Sequence, residues 1–168
     1  MRAPVEVRLE RFQKLVERVS HESEKGSVIV VEGQRDRESL RTLGIKGRIF
    51  CLQSSRRNTV GFVEQLEGVT EVVVLTDFDR EGVFLAKRLA RILGSQGVHA
   101  NLVLWRSLRE LTRSDVRSIE ELPKFYQRLW FEQNKGLPLI YHRHDVAFPN
   151  IHKRERRRFN KEEYAMSN

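Results

Sequence analysis

The sequence predicts an α/β fold in which a four-stranded parallel sheet is flanked by helices. Short apolar runs typical of buried strands occupy residues 27–31, 48–52, 71–75 and 100–104. Helical patterns lie between these runs, and strands that alternate with helices favour a parallel sheet with right-handed crossovers. Ligands of such sheets bind beyond the carboxyl ends of the strands, so we expect functional residues there.

The apolar spacing also predicts where the helices lie. Gly44 and Gly94 are expected to end the second and fourth of them. Leu85, Leu89 and Ile92 are the expected core stripe of the fourth. The predicted helices cover residues 4–22, 34–43, 59–66, 81–93 and 119–134.

Composition limits the class of protein. The chain has 168 residues, and 31 Lys and Arg against 23 Asp and Glu give a net charge of +8. A positive balance favours a polyanionic partner such as nucleic acid. The single cysteine, Cys51, cannot form an intramolecular disulfide, which predicts a core residue in a reducing, cytoplasmic setting. No secretion signal and no membrane-spanning apolar run is evident, so we expect no membrane partner.

Acidic motifs follow two of the predicted strands. Glu32 and Gly33 come after the first, and Asp77 and Asp79 stand in the segment TDFDREG after the third. Alternate residues of an extended chain point the same way, which would present both aspartates on one side. Carboxylates at a sheet edge suit Mg²⁺, which binds one or two of them plus waters and phosphate oxygens. The alternative is a solvated acidic turn that caps the next helix.

These two motifs, in this order and each behind a buried strand, resemble the Toprim domain. The resemblance covers residues 27–105, and TDFDREG is similar to the matching segment of type IA topoisomerases. It implies that Glu32 is a general acid or base and that Asp77 and Asp79 bind Mg²⁺ or Mn²⁺. Glu81 matches a further acidic residue of the topoisomerases, a secondary metal ligand. The implied chemistry is metal-assisted phosphoryl transfer.

The size of the chain narrows the Toprim activities that are compatible with it. Topoisomerases need a tyrosine nucleophile in a separate large domain, and primases need further domains for template and nucleotides. In length the chain is similar to the ribonuclease that matures bacterial 5S ribosomal RNA and to the small primase-like Toprim proteins of archaea. We expect an N-terminal helix (1–26), the Toprim domain (27–105), a helical extension (106–140) and a basic tail (141–168).

The favoured hypothesis is therefore a Mg²⁺-dependent nuclease that acts on structured RNA, with ribosomal RNA precursors or the ribosome as candidate partners. A second hypothesis is a non-catalytic RNA- or ribosome-binding factor. A third is a primase-like or DNA-repair protein that uses the same site. RNA is favoured over DNA by the resemblance, although no sequence feature separates the two.

Basic residues supply the candidate nucleic-acid contacts. Residues 152–161 (HKRERRRFNK) hold six Lys and Arg against one Glu, a density that binds phosphates without sequence preference. A solubilising tail and ordinary surface arginines are the alternatives. The candidate contacts are Arg35, Arg56, Arg57, Arg80, Lys153, Arg154, Arg156, Arg157 and Arg158.

Overall fold

A computed structural model describes residues 3–54, 62 and 66–134 of the chain. It confirms the predicted α/β fold, with four parallel strands in the order β2-β1-β3-β4. The strands are β1 (Val28–Val31), β2 (Ile49–Cys51), β3 (Glu71–Val74) and β4 (His99–Asn101). Strands β1 and β3 lie at the centre, and all of β1 is buried. This is why both read as continuous apolar runs.

Five α-helices surround the sheet within the described part of the chain. Helices α1 and α5, which come from the two ends of that part, pack on each other, and Phe12 of α1 stacks on Tyr126 at 5.9 Å. Residues 119–121 form a 3₁₀ turn before α5, whose first turn contains Pro123. The helices are α1 (Val5–Glu24), α2 (Gln34–Thr42), α3 (Arg80–Ser95), α4 (Val103–Thr112) and α5 (Leu122–Gln133).

Residues 103 and 104 belong to a helix, so the predicted strand 100–104 is wrong in its second half. The side chain of Asn101 accepts a hydrogen bond from the backbone N–H of Val103 at 3.1 Å, which helps to start α4. The buried residues of α4 recur at helical spacing. A short apolar run fits a strand or a helix, and here the helix forms. The buried residues of α4 are Leu104, Trp105, Leu108 and Thr112.

Helix α3 also differs from its prediction. It continues through Gly94 to Ser95, and the residue with positive φ is Gly97, at 74°. Of the predicted core stripe only Leu89 is fully buried, because the inward face is turned by about one residue. The buried residues of α3 are Gly82, Ala86, Leu89 and Leu93.

The predictions for Cys51 and Gly44 are confirmed. Cys51 is buried and forms no disulfide, and Gly44, which follows α2, adopts a φ of 80°. None of the described helices is long and apolar enough to cross a membrane. Most of the predicted helix 59–66 lies outside the described residues.

A buried ion pair joins α1 to the segment that follows α4. Arg8 donates to Asp115, and the two side chains are 8% and 10% exposed. Arg128 of α5, which is 47% exposed, lies 3.0 Å from the other carboxylate oxygen of Asp115. Both guanidinium groups lie over the ring of Phe125. The network holds the N-terminal helix against the C-terminal ones.

We expect Asp115→Ala to lower the free energy of unfolding by about 3–5 kcal/mol, because Arg8 would remain buried without its partner. Arg128→Ala removes the exposed member of the same network and should cost less than about 1 kcal/mol. Urea denaturation of both variants provides the measurement. Equal losses in the two variants would contradict the assignment of Arg8–Asp115 as the stabilising pair.

Candidate metal and nucleic-acid site

Glu32 and Asp77 meet at the carboxyl edge of the two central strands. Glu32 follows β1 and Asp77 comes shortly after β3, and these strands are hydrogen-bonded neighbours. The backbone N–H of Asp77 donates to Oε1 of Glu32 at 3.0 Å, across 45 residues of sequence. The structure thus brings together the two acidic motifs that the sequence placed at this edge.

The two aspartates of TDFDREG are held differently. Oδ1 of Asp77 accepts from the backbone N–H of Ile119 at 2.9 Å, so Asp77 faces the 3₁₀ turn before α5. Asp79 is exposed and is the N-cap of α3, where its Oδ1 accepts from the N–H of Gly82 at 2.8 Å. Asp79 therefore caps the helix, as the alternative interpretation of the sequence predicts. This hydrogen bond uses only one of its two carboxylate oxygens.

The turn between β3 and α3 depends on Gly82. A Cβ at this position would lie 2.1 Å from the backbone oxygen of Asp77. The carbonyl of Gly82 also accepts a hydrogen bond from Oγ1 of the fully buried Thr76 at 2.8 Å. The close approach brings the start of α3 onto the residue that carries the central carboxylate.

The loop that contains the aspartates is also held from the C-terminal side. Nε1 of Trp105 donates to the carbonyl of Thr76 at 2.8 Å, and Nε of Arg109 donates to that of Phe78 at 3.2 Å. The N–H of Phe78 in turn donates to the carbonyl of Arg117 at 2.8 Å. Helix α4 and the segment after it therefore fix the loop between β3 and α3.

The environment of Asp77 disfavours its negative charge. Burial raises the pKa of Asp77 to about 6, and the negative charges of Asp36, Glu32 and Asp79 add to the effect. The hydrogen bond from Ile119 opposes it. A divalent cation bound among these carboxylates would remove the repulsion.

Glu32 shares this environment. Burial raises the pKa of Glu32, and the charges of Asp36, Asp79 and Glu81 raise it further, against the hydrogen bond from the N–H of Asp77. A raised pKa moves the proton exchange of a carboxyl group towards neutral pH, as acid–base catalysis requires. Glu81 is exposed and acts on Glu32 through its charge.

Asp36 belongs to the same acidic cluster as Glu32, Asp77 and Asp79, and sequence reasoning missed this residue. Its side chain is buried, and Oδ2 accepts from the N–H of Gly33 at 2.8 Å. Burial raises the pKa of Asp36, which also accepts a hydrogen bond from the backbone of Glu120. The sequence signal that could have identified Asp36 is its position three residues after Gly33 at the start of a helix, because that spacing is typical of a capping box.

The residues present fit a magnesium or manganese ion. Glu32, Asp77 and Asp79 each accept a backbone N–H through one oxygen. In the described part of the chain, no hydrogen bond involves the second oxygen of any of the three. No group of three or more acidic, His or Cys side chains in that part forms a ready-made metal site. Mg²⁺ does not need one, because it keeps several waters and uses one or two carboxylates.

The predicted nucleic-acid contacts are only partly within the described residues. Arg35 is 84% exposed and lies 3.9 Å from Glu120. Arg80 is exposed and, within the described residues, forms no ion pair with Glu81. The remaining candidates lie outside the described residues: Arg56, Arg57, Lys153, Arg154, Arg156, Arg157 and Arg158.

Comparison with known proteins identifies the fold and the relatives. Residues 26–103 match the Toprim domain family. A UPF0292 protein of Methanosarcina acetivorans is 36% identical over 123 residues, which are 73% of this chain and 84% of the relative. A UPF0292 protein of Thermococcus kodakarensis is 32% identical over 120 residues, 71% of this chain and 89% of the relative. The solved structure of an Aquifex aeolicus protein matches with a TM-score of 0.55 and 26% identity, over 64% of this chain and 94% of that one.

Gly82→Ala should lower the free energy of unfolding by at least about 2 kcal/mol, because its methyl group would overlap the backbone of Asp77. Gly94→Ala is the matched control in the same helix, since a Cβ there meets no atom within 4 Å. It should be neutral or stabilise by up to about 1 kcal/mol. Thermal unfolding of both variants tests the close approach, and two equal changes would contradict it.

We expect Asp77→Asn to stabilise the metal-free protein at neutral pH by about 1 kcal/mol. The full pKa change corresponds to roughly 3 kcal/mol, but solvent screens a partly buried group. Because folding raises the pKa of Asp77, the protonated carboxyl group favours the folded state. The wild type keeps this contribution to its stability below pH 3.8, the ordinary pKa, and loses it as the pH rises through about 6. The variant should lack that loss.

Denaturant unfolding in EDTA between pH 4 and pH 7.5 provides the measurement. Glu38→Gln, which neutralises an exposed carboxylate on α2, is the control and should follow the wild type. A variant that is less stable than the wild type at neutral pH would show that the charge of Asp77 is not a burden on the metal-free fold.

Proposed function

The chain belongs to the UPF0292 protein family and carries a Toprim domain over residues 26–103, and from this premise we propose that it is a Mg²⁺-dependent nuclease that cleaves structured RNA. A Toprim domain indicates a metal-binding, nucleic-acid-related function. The observation that supports the finer proposal is the hydrogen bond between Glu32 and Asp77, because it joins the proposed acid–base group to one of the proposed metal ligands.

Each carboxylate has a separate role in the proposed reaction. Asp77 and Asp79 would hold the metal ion, which when bound neutralises charge on the phosphate and orients the attacking oxygen. Glu32 takes a proton from the attacking water as the new P–O bond forms. The bond from phosphorus to the leaving oxygen breaks, and that oxygen takes a proton from solvent, while Glu32 releases its proton to solvent. No protein nucleophile is required, which agrees with the burial of Tyr126, the one tyrosine among the described residues.

Charge supports a nucleic-acid substrate. The net charge of +8 and the six basic residues in 152–161 favour a phosphate polymer over a small neutral substrate. The resemblance to the ribonuclease that matures 5S ribosomal RNA supports RNA, and ribosomal RNA precursors are the first substrates to test.

A non-catalytic RNA-binding factor is the second candidate. It is favoured by the role of Asp79 as a helix cap and by the lack, in the described residues, of a group of three side chains arranged around a metal position. In that case deletion of residues 151–168 should abolish RNA binding, while Glu32→Gln should leave binding and function unchanged.

The deciding experiment compares cleavage of an RNA hairpin with single-stranded flanks, a DNA hairpin of the same sequence, and duplex DNA. We expect RNA cleavage with Mg²⁺ or Mn²⁺ and none with EDTA. Glu32→Gln should slow cleavage by about 10²-fold or more, the typical contribution of a general acid or base. Asp77→Asn should remove the metal dependence together with the activity, whereas Glu38→Gln should cleave like the wild type.

Each other outcome would contradict the proposal. Absence of cleavage on all three substrates with either metal would leave the binding factor as the better description. A fully active Asp77→Asn variant would show that the cleavage does not depend on this carboxylate. Cleavage confined to DNA, or incorporation of nucleotides, would favour a repair or primase-like role.

A further inference from the structure

A cavity beside the acidic cluster is lined by three arginines. Its volume is about 270 Å³, smaller than the roughly 300–1,000 Å³ of pockets that enclose drug-sized ligands. We call it the arginine pocket; its lining residues are Phe78, Asp79, Arg109, Arg113, Val116 and Arg117. All three arginines follow residue 103, the last residue that matches the Toprim domain family.

The charge of the pocket is unbalanced. Arg109, Arg113 and Arg117 form no ion pair with a carboxylate in the described part of the chain, although Asp79 lines the same cavity. Other exposed basic side chains do form such pairs, as Lys14 does with Glu10 and Arg35 with Glu120. Three arginines around one small cavity concentrate positive charge there, which an anion bound in the cavity would balance. Guanidinium groups match phosphate oxygens in geometry and bind them in a bidentate manner.

The pocket is fixed relative to the carboxylates. Nε of Arg109 donates to the carbonyl of Phe78, and the guanidinium group lies over the ring of Trp105 at 5.7 Å. The N–H of Phe78 donates to the carbonyl of Arg117. Phe78 stands between Asp77 and Asp79 in the sequence, so the two arginines are tied to the residue that separates the aspartates.

We propose that the arginine pocket binds an internal backbone phosphate of the nucleic-acid strand, next to the phosphodiester that the carboxylates act on. This assignment rests on the proposed function and extends it, because it gives the direction in which the strand leaves the metal site. A strand that passes over Asp79 reaches the arginines directly, since Asp79 lines the pocket. The pocket positions the substrate and takes no part in the bond changes.

The test measures binding of a fluorescent RNA hairpin to the full-length chain by anisotropy in EDTA, so that no cleavage occurs. The variant is the double substitution Arg113→Gln and Arg117→Gln, whose exposed side chains make no hydrogen bond in the described structure. Arg106→Gln is the control, because it removes one positive charge, half of what the double variant removes, from an exposed position of α4 that does not line the pocket. Thermal unfolding checks that every variant folds.

We expect the double variant to bind about tenfold or more weakly and to lower the slope of log affinity against log salt by about one for each lost phosphate contact. Arg106→Gln should change the affinity by less than about twofold. Equal losses in the control and the double variant would overturn the proposal, because they would show a diffuse effect of charge. So would a loss confined to hairpins that carry a 5′-phosphate, since the pocket would then bind a chain end.

The binding test of the arginine pocket and the cleavage test of the proposed function can fail independently of each other. A chain that cleaves RNA but binds it equally well after the double substitution would retain its proposed function and lose the arginine pocket. A chain that cleaves nothing, yet binds about tenfold more weakly after the double substitution, would lose the nuclease activity and retain the pocket as a phosphate site.

Discussion

Asp77 connects three segments that are far apart in sequence, and the candidate site depends on these connections. Its N–H donates to Glu32 after β1, and its carboxylate accepts from Ile119 before α5. Its carbonyl oxygen lies so close to Gly82 that a side chain there would overlap it. The strand pairing of β1 with β3 brings Glu32 into reach, and these local contacts then set where each carboxylate lies.

This arrangement has an energetic cost in the metal-free protein. Asp77, Glu32 and Asp36 are each partly or fully withdrawn from solvent, and burial raises the pKa of all three. A fold selected for stability alone would not gather carboxylates at one edge of its sheet. Clustered charges that destabilise a fold are typical of sites whose ligand supplies the opposite charge. Backbone N–H groups donate to at least one oxygen of each of these three carboxylates and so reduce this cost.

The sequence predicted the centre of the fold and the acidic edge, because these features are local. Continuous apolar runs identified β1 and β3, and the residues directly after them identified Glu32 and Asp77. It did not predict α4, because the run around Leu104 fits a strand as well as a helix, and the hydrogen bond from Val103 to Asn101 cannot be read from apolar spacing. Asp36 was missed because its role depends on burial.

The arginine pocket was missed for a different reason. Arg109, Arg113 and Arg117 match no motif, and they are separated in sequence from Phe78 by 31 residues for Arg109 and up to 39 for Arg117. Nothing in a linear pattern shows that the end of α4 folds back onto the turn after β3. The hydrogen bonds from Trp105 and Arg109 to the carbonyls of that turn reveal it.

The acidic and basic surfaces meet at Asp79 but are not paired with each other. Phosphoryl transfer needs carboxylates that remain available to a metal ion and cations that remain available to phosphate, and direct pairing between the two would disable both. The described structure contains no ion pair between the three arginines of the pocket and Glu32, Asp77 or Asp79. Arg109 is held away by its bond to Phe78 and its contact with Trp105. The segment beyond the Toprim domain therefore does more than cover the sheet, because it supplies the N–H that holds Asp77 and keeps the basic surface beside the acidic one.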